Sequence, residues 1–227
     1  MARKHIFIIL ALFGFFLNAL ANQDAANLES RWENTIREFE DWDKKNSFPA
    51  DSVLFAGSSS IRGWETNIYF KDFPVINRGF GGSQISDINY FADRMVLPYK
   101  PKIIVFYAGD NDVAAGKTPQ IILNDYKKFV SIVHKELPET KIIFISIKPS
   151  SSRWSMWVTM KEANNLIEQY SQSNPNLIYF DGAGPLLNSE GKPDDNLFKS
   201  DKLHLNEKGY EIWTKLLNPI IVHSLKG

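Results

Sequence analysis

The chain contains no cysteine, and that absence closes several routes at once. No disulfide framework can staple it, no thiolate can bind a metal or act as a nucleophile, and no lipobox cysteine can carry a lipid anchor. Charge of one sign is also missing in excess: 26 basic residues stand against 26 acidic ones, scattered along 227 positions. Without a basic stripe to neutralise phosphates, nucleic acid is not expected as a partner. Histidine is scarce, with four in all, and none forms an H-x-x-x-H or E-x-x-H pair, so a zinc site has no support. Internal repeats and low-complexity segments are absent as well.

Long apolar runs are nearly absent; the one that stands out lies near the start. Arg3, Lys4 and His5 precede an apolar stretch from Ile6 to Leu17, followed by the small-residue pattern Ala19-Leu20-Ala21. This is the anatomy of a secretory signal peptide. The run falls short of the roughly 20 residues a spanning helix requires, and Asn18 interrupts its end. The expectation is cleavage after Ala21 and an exported protein, periplasmic or secreted, with no stable membrane anchor. The remaining residues, 22–227, are long enough for one globular domain. Within them, residues 22–47 read as a helical extension, because Leu28, Trp32, Ile36, Phe39 and Trp42 recur at helical spacing among charges.

Five apolar bursts follow: Val53 to Gly57, Pro74 to Phe80, Lys102 to Gly109, Lys141 to Pro149 and Asn176 to Gly182. Runs such as IIVFY and IIFISI do not alternate with polar residues, so they predict strands buried on both faces. Helical patterns lie between them, over Ser86 to Tyr99, Thr118 to Leu137 and Trp154 to Ser171, with a last one from Asn206 to Leu225. The alternation predicts an α/β fold, a three-layer α/β/α sandwich around a five-stranded parallel sheet. The longest irregular stretch, Gly182 to Leu203, ends at a histidine.

In open parallel sheets, ligands gather at the carboxyl ends of the strands, near the switch in strand order. Those ends read Gly57-Ser58-Ser59-Ser60, Gly79-Phe80-Gly81-Gly82-Ser83, Gly109-Asp110-Asn111-Asp112, Lys148-Pro149-Ser150, and the long loop with Asp201 and His204. A phosphate cradle fails, because GSSSIRGW lacks the lysine and spacing of a P-loop and RGFGGSQ lacks the acidic residue of a dinucleotide site. A calcium loop starting at GDNDVAAG fails at Ala114, Ala115 and Ile121. Nucleophilic acyl transfer fits better. It requires a hydroxyl, a base to take its proton, a group to orient that base, and donors for the oxyanion. The serine cluster, His204, Asp201, the Gly82 N–H and the Asn111 amide can supply them.

These blocks resemble the SGNH (GDSL-type) hydrolases. The family's G-D-S, glycine, G-x-N-D and D-x-x-H blocks read here Gly57-Ser58-Ser59, Asn77 to Gly82, Gly109 to Asp112, and Asp201 to His204. The resemblance spans Val53 to about Trp213 and implies a flavodoxin-like fold and a serine esterase without metal or organic cofactor. It implies Ser59 as nucleophile, with Trp64 where the family often has tryptophan, His204 as base, Asp201 as its partner, and Ser59 N–H, Gly82 and Asn111 as the oxyanion hole. One departure is that Ser58 stands where the family has aspartate. Arg62, Arg78, Arg153, Trp64, Trp154 and Trp157 are the residues offered for a substrate rim. The expected substrate is a small-molecule or carbohydrate ester with a short acyl group. The rival readings are a long-chain lipase and a carbohydrate-binding module with a dead site.

Overall fold

The computed structural model describes residues 31–226. The signal-peptide reading of residues 1–21 and the first part of the expected extension lie outside them. The chain forms two compact units, divided between Lys45 and Asn46. Before that division lies one helix, α1, over 31–43, on which Arg37 bonds Glu33 one turn away at 2.8 Å.

The unit after Asn46 carries β1 (Val53–Gly57), α2 (Ser59–Arg62), α3 (Thr66–Tyr69), β2 (Val75–Gly79), α4 (Ile85–Tyr90), α5 (Ala92–Met95), β3 (Ile103–Tyr107) and α6 (Asp110–Ala114). After these come α7 (Pro119–Glu136), β4 (Lys141–Ile145), α8 (Trp157–Ser171), β5 (Leu177–Phe180) and α9 (Glu207–Lys226). The five strands are all parallel, in the order β2-β1-β3-β4-β5. The chain therefore starts inside the sheet, steps outward to β2 and returns past β1 to β3. That reversal, between β1 and β3, is the switch point at which a parallel sheet opens a crevice.

The unbroken apolar runs follow from two-sided burial. Val53, Phe55, Val105, Tyr107, Ile143 and Ile145 point into one layer with Trp64, Phe70, Trp213, Leu217 and Ile221 from α9 and the α2–β2 connection. The alternate residues point the other way, where Phe106 packs on Phe129 of α7 with ring centroids 4.3 Å apart. Helix α7 packs against both α4 and α8 on that side. Period-two alternation thus feeds two cores, one on each face of the sheet.

Two expected helices begin or end elsewhere. The pattern from Ser86 to Tyr99 breaks into α4, α5 and a 3-10 turn, Leu97–Tyr99, which carries Pro98. Proline lacks the N–H and fixes φ, which favours a break at Pro98, although α9 accommodates Pro219 within its span. The pattern from Trp154 becomes regular only at Trp157. The preceding segment, Ser151–Met156, is a 3-10 turn in which Arg153 leaves helical values at φ −122° and ψ 22°. The Gly182 to Leu203 stretch stays irregular apart from the 3-10 turns Gly184–Leu186 and Asp195–Leu197. No helix among the described residues is long and apolar enough to cross a membrane.

Candidate active site

Ser59 is the first residue of α2, which starts directly off the carboxyl end of β1. Its Oγ lies 3.0 Å from His204 Nε2. On the other side of the ring, His204 Nδ1 lies 2.6 Å from Asp201 Oδ2. With Nδ1–H donating to the carboxylate, Nε2 is the nitrogen left to accept the serine proton. The other carboxylate oxygen of Asp201 accepts the backbone N–H groups of Leu203 and His204, each at 3.0 Å. The His204 imidazole and these two N–H groups hold the Asp201 carboxyl far below the usual carboxylate range. Asp201 is therefore held ionised beside the imidazole.

The neighbouring serines are placed differently. Ser58 and Ser60 are buried, while Ser59 is half-buried. Ser58 occupies the N-cap position of α2, yet its side chain caps nothing. Its role is carried by its backbone, whose N–H donates to the Tyr107 carbonyl at 2.9 Å and whose carbonyl accepts from Ile61 and Arg62. Where the family has an aspartate, this chain therefore has a short, buried side chain beside Ser59.

The candidates for oxyanion donors come from three strand ends. The N–H of Ser59 opens α2, where a helix has no intrahelical acceptor for it, and none is recorded among the described residues. Gly82 sits at φ +83°, a left-handed conformation that favours glycine, and its N–H likewise has no recorded acceptor among the described residues. Asn111 Nδ2 spends one N–H on the Ser83 carbonyl at 3.0 Å, which leaves its second N–H available. Its Oδ1 is occupied, because Arg153 Nη2 donates to it at 3.0 Å.

Behind Asn111 lies a buried charge cluster. Asp110 Oδ2 is 3.3 Å from Lys148 Nζ and 3.3 Å from Arg153 Nη1. Burial opposes ionisation of Asp110, but Lys148 and Arg153 outweigh it and bring its carboxyl below the ordinary value. Burial pulls Lys148 down, and Asp110 partly restores it. Asp112 is also fully buried. It accepts the Ile85 N–H at 3.2 Å and pairs with Lys117 at 2.9 Å. Burial pushes its carboxyl up to about 6 against the pull of Lys117.

Of the residues offered for the rim, some lie there and others do not. Arg62 is exposed, and its guanidinium rests on Gly81, where an added Cβ would come within 2.7 Å of Cζ. Trp154 and Trp157 stack with centroids 6.1 Å apart and planes 16° apart, and Trp154 is 36% exposed. Arg78 is corrected: it is buried, donates to the Tyr99 hydroxyl, and lies over the Tyr99 and Phe48 rings. Trp64 is corrected too, since it is buried among Phe55, Phe70, Tyr210 and Trp213 and donates to Thr214 Oγ1 at 3.3 Å. Arg153 faces inward to Asn111 rather than outward. Lys148 had no assigned role; the signal was a lysine set directly after the buried run IIFISI. Among the described residues, no group of three or more histidines or acids could hold a metal ion.

The family model for the GDSL-like Lipase/Acylhydrolase family matches residues 50–212, most of the chain. The chain belongs to that family. It is a hydrolase of ester bonds. Solved structures share its fold. A Streptococcus pneumonia protein named for platelet activating factor is 20% identical with a TM-score of 0.75, covering 89% of this chain and 99% of its own. A GDSL-like lipase from Bacteroides thetaiotaomicron is 20% identical at a TM-score of 0.71, covering 83% and 98%. A carbohydrate esterase family 3 protein from Talaromyces cellulolyticus is 20% identical at 0.61, covering 77% and 98%. At such identities the likeness is one of fold. No curated protein sequence matches the chain.

Proposed function

We propose that this hydrolase cleaves short O-acyl esters, acetyl above all, from a carbohydrate, through an acyl-enzyme on Ser59. The observation that carries the chemistry is the unbroken chain from Ser59 Oγ to His204 at 3.0 Å and on to Asp201 at 2.6 Å. Ser59 Oγ attacks the ester carbonyl as His204 Nε2 takes its proton. The negative charge on the carbonyl oxygen meets the Ser59 and Gly82 N–H groups and the Asn111 amide. When the tetrahedral adduct collapses, the ester C–O bond breaks and His204 returns the proton to the departing alcohol. A water then attacks the acyl-enzyme by the same route and releases the carboxylic acid and free Ser59.

The substrate half of the proposal rests on the surface beside this centre. The segment Ser151–Met156 sends Arg153 inward and Trp154 outward, and Trp154, Trp157 and Val158 leave an apolar, aromatic face in solvent. A groove of about 290 Å³ beside it is lined by Ser151, Trp154, Asn188, Lys192, Pro193 and Asp195. An aromatic plane rimmed by hydrogen-bonding groups suits a sugar ring. The Talaromyces fold neighbour, named as a carbohydrate esterase, points the same way. The complete triad favours an enzyme over a dead binding module.

The test is a panel of p-nitrophenyl esters alongside acetylated oligosaccharides. Acetyl and butyryl esters are expected to exceed decanoyl esters in kcat/KM. Trp154→Ala is expected to weaken turnover of an acetylated sugar several-fold while leaving p-nitrophenyl acetate within about twofold, since a stacked ring contributes on the order of 1 kcal/mol. A preference for long chains would overturn the short-acyl reading and indicate a lipase.

A further inference from the structure

We infer that Arg153 is a positioning residue for the oxyanion hole: it locks and polarises the Asn111 amide, with the buried Asp110–Lys148 pair as its anchor. The inference rests on the esterase reading of the site and adds a role that the motif blocks do not contain.

The geometry fixes the amide by exclusion. Asn111 Oδ1 accepts from Arg153 Nη2 at 3.0 Å, and Asn111 Nδ2 donates to the Ser83 carbonyl at 3.0 Å. Rotating the amide by half a turn would set its NH₂ against a guanidinium, which only donates, and its oxygen against a carbonyl, which only accepts. Both contacts would become repulsive. The orientation that offers an N–H toward the oxyanion is thus enforced from behind, and a hydrogen bond on the amide oxygen from a cation also makes the amide N–H a stronger donor.

The anchor explains why the guanidinium is held there. Arg153 Nη1 is 3.3 Å from Asp110 Oδ2, and Lys148 Nζ is 3.3 Å from that same oxygen. Lys148 is 1% exposed and Asp110 2%. Two basic side chains share one carboxylate next to the side chain that would meet a developing oxyanion. Screening by solvent is weak at such depth, and a preorganised charge acts there at its strongest. The backbone supports the placement. The Ser152 N–H donates to the Lys202 carbonyl at 3.2 Å, Ser151 Oγ donates to Asp195, and Lys202 pairs with Asp195 at 2.8 Å. The segment that delivers Arg153 to Asn111 is thereby strapped to the loop carrying Asp201 and His204.

The test is a double-mutant cycle on purified full-length protein with p-nitrophenyl acetate, using Arg153→Gln, Arg153→Lys and Asn111→Ala. Arg153→Gln is expected to lower kcat by about 10- to 100-fold with KM within threefold, less than loss of the donor itself. Arg153→Lys, which keeps the charge but not the fork, is expected to recover part of that loss. The deciding reading is coupling: Arg153→Gln placed on Asn111→Ala should cost no more than about threefold further, because its effect passes through the amide. Fluorophosphonate labelling rates should follow the same pattern. Full additivity of the two losses, or a change confined to KM, overturns the inference in an enzyme that is otherwise active. Failure of the wild-type protein to turn over any ester or to take the label overturns the esterase reading and this inference with it. Melting curves of each variant separate misfolding from lost positioning.

Discussion

The two halves of the proposed catalytic site are built in opposite ways. The oxyanion half, at the ends of β1, β2 and β3, is backed by buried groups: Ser58, Ser60, Asp110, Asp112 and Lys148 are all nearly inaccessible. The acid–base half stands in solvent, with the His204 side chain 33% and the Asp201 side chain 48% exposed. One half is fixed by the sheet and a desolvated charge cluster. The other is fixed by three short-range hydrogen bonds within the tetrapeptide Asp201 to His204 and by one long-range bond from His204 to Ser59. In the proposed mechanism this contrast lets the electrostatic work be preorganised in low dielectric while the proton carrier stays open to the leaving alcohol and to water.

Breaking the exposed half should have the largest effect. Asp201→Asn replaces an acceptor by a group that can present N–H to the imidazole, favouring the wrong tautomer, and kcat is expected to fall by about 10⁴ with little change in stability. A loss below tenfold in steady-state assays would show that the exposed carboxylate is dispensable. Breaking the buried half at its tip comes next. Asn111→Ala removes one oxyanion donor and is expected to lower kcat by about 10²–10³, leaving KM nearly unchanged. If KM alone moved, Asn111 would be a substrate clamp.

The smallest effect sharpens the contrast through stability. The Asp112 carboxyl is pushed up to about 6 by burial, against the pull of Lys117, whereas an unfolded aspartate titrates near about 4. A raised pKa means that the folded protein holds a proton the unfolded chain has already lost. The contribution of Asp112 is therefore full below about pH 4 and declines as the pH rises through about 6, by at most roughly 3 kcal/mol. Urea unfolding of the wild type and Asp112→Asn at pH 4.5 and pH 7 measures it. The stability of the wild type relative to the variant should fall between the two, and a gap that does not change with pH would contradict the assignment.

Much of this architecture is visible in the residues themselves, because the signals are local. Runs such as IIVFY can only be buried on both faces, and the glycine, serine and asparagine blocks that follow them mark strand ends where side chains can meet. Asp201 and His204 are three residues apart, within reach of one turn. The misplacements concern direction and distance. Trp64 lies one turn past the nucleophile, yet its ring turns into the layer beneath α9. Arg78 belongs to β2, an edge strand, and the rings of Phe48 and Tyr99, which lie far from it in sequence, cover it there. Arg153 meets Asp110 and Asn111 across more than 40 positions of chain, and that meeting depends on one non-helical residue in a 3-10 turn. No periodicity announces such a contact.

The central claim is that Ser59, and neither of its neighbours, is the nucleophile. Its most direct test is covalent labelling of the protein with a fluorophosphonate, followed by mass mapping of the modified peptide and repeated on Ser58→Ala, Ser59→Ala and Ser60→Ala. A single adduct is expected on Ser59, retained in the Ser58→Ala and Ser60→Ala proteins and absent from a folded Ser59→Ala protein. An adduct on Ser58 or Ser60, or undiminished labelling of Ser59→Ala, would contradict it.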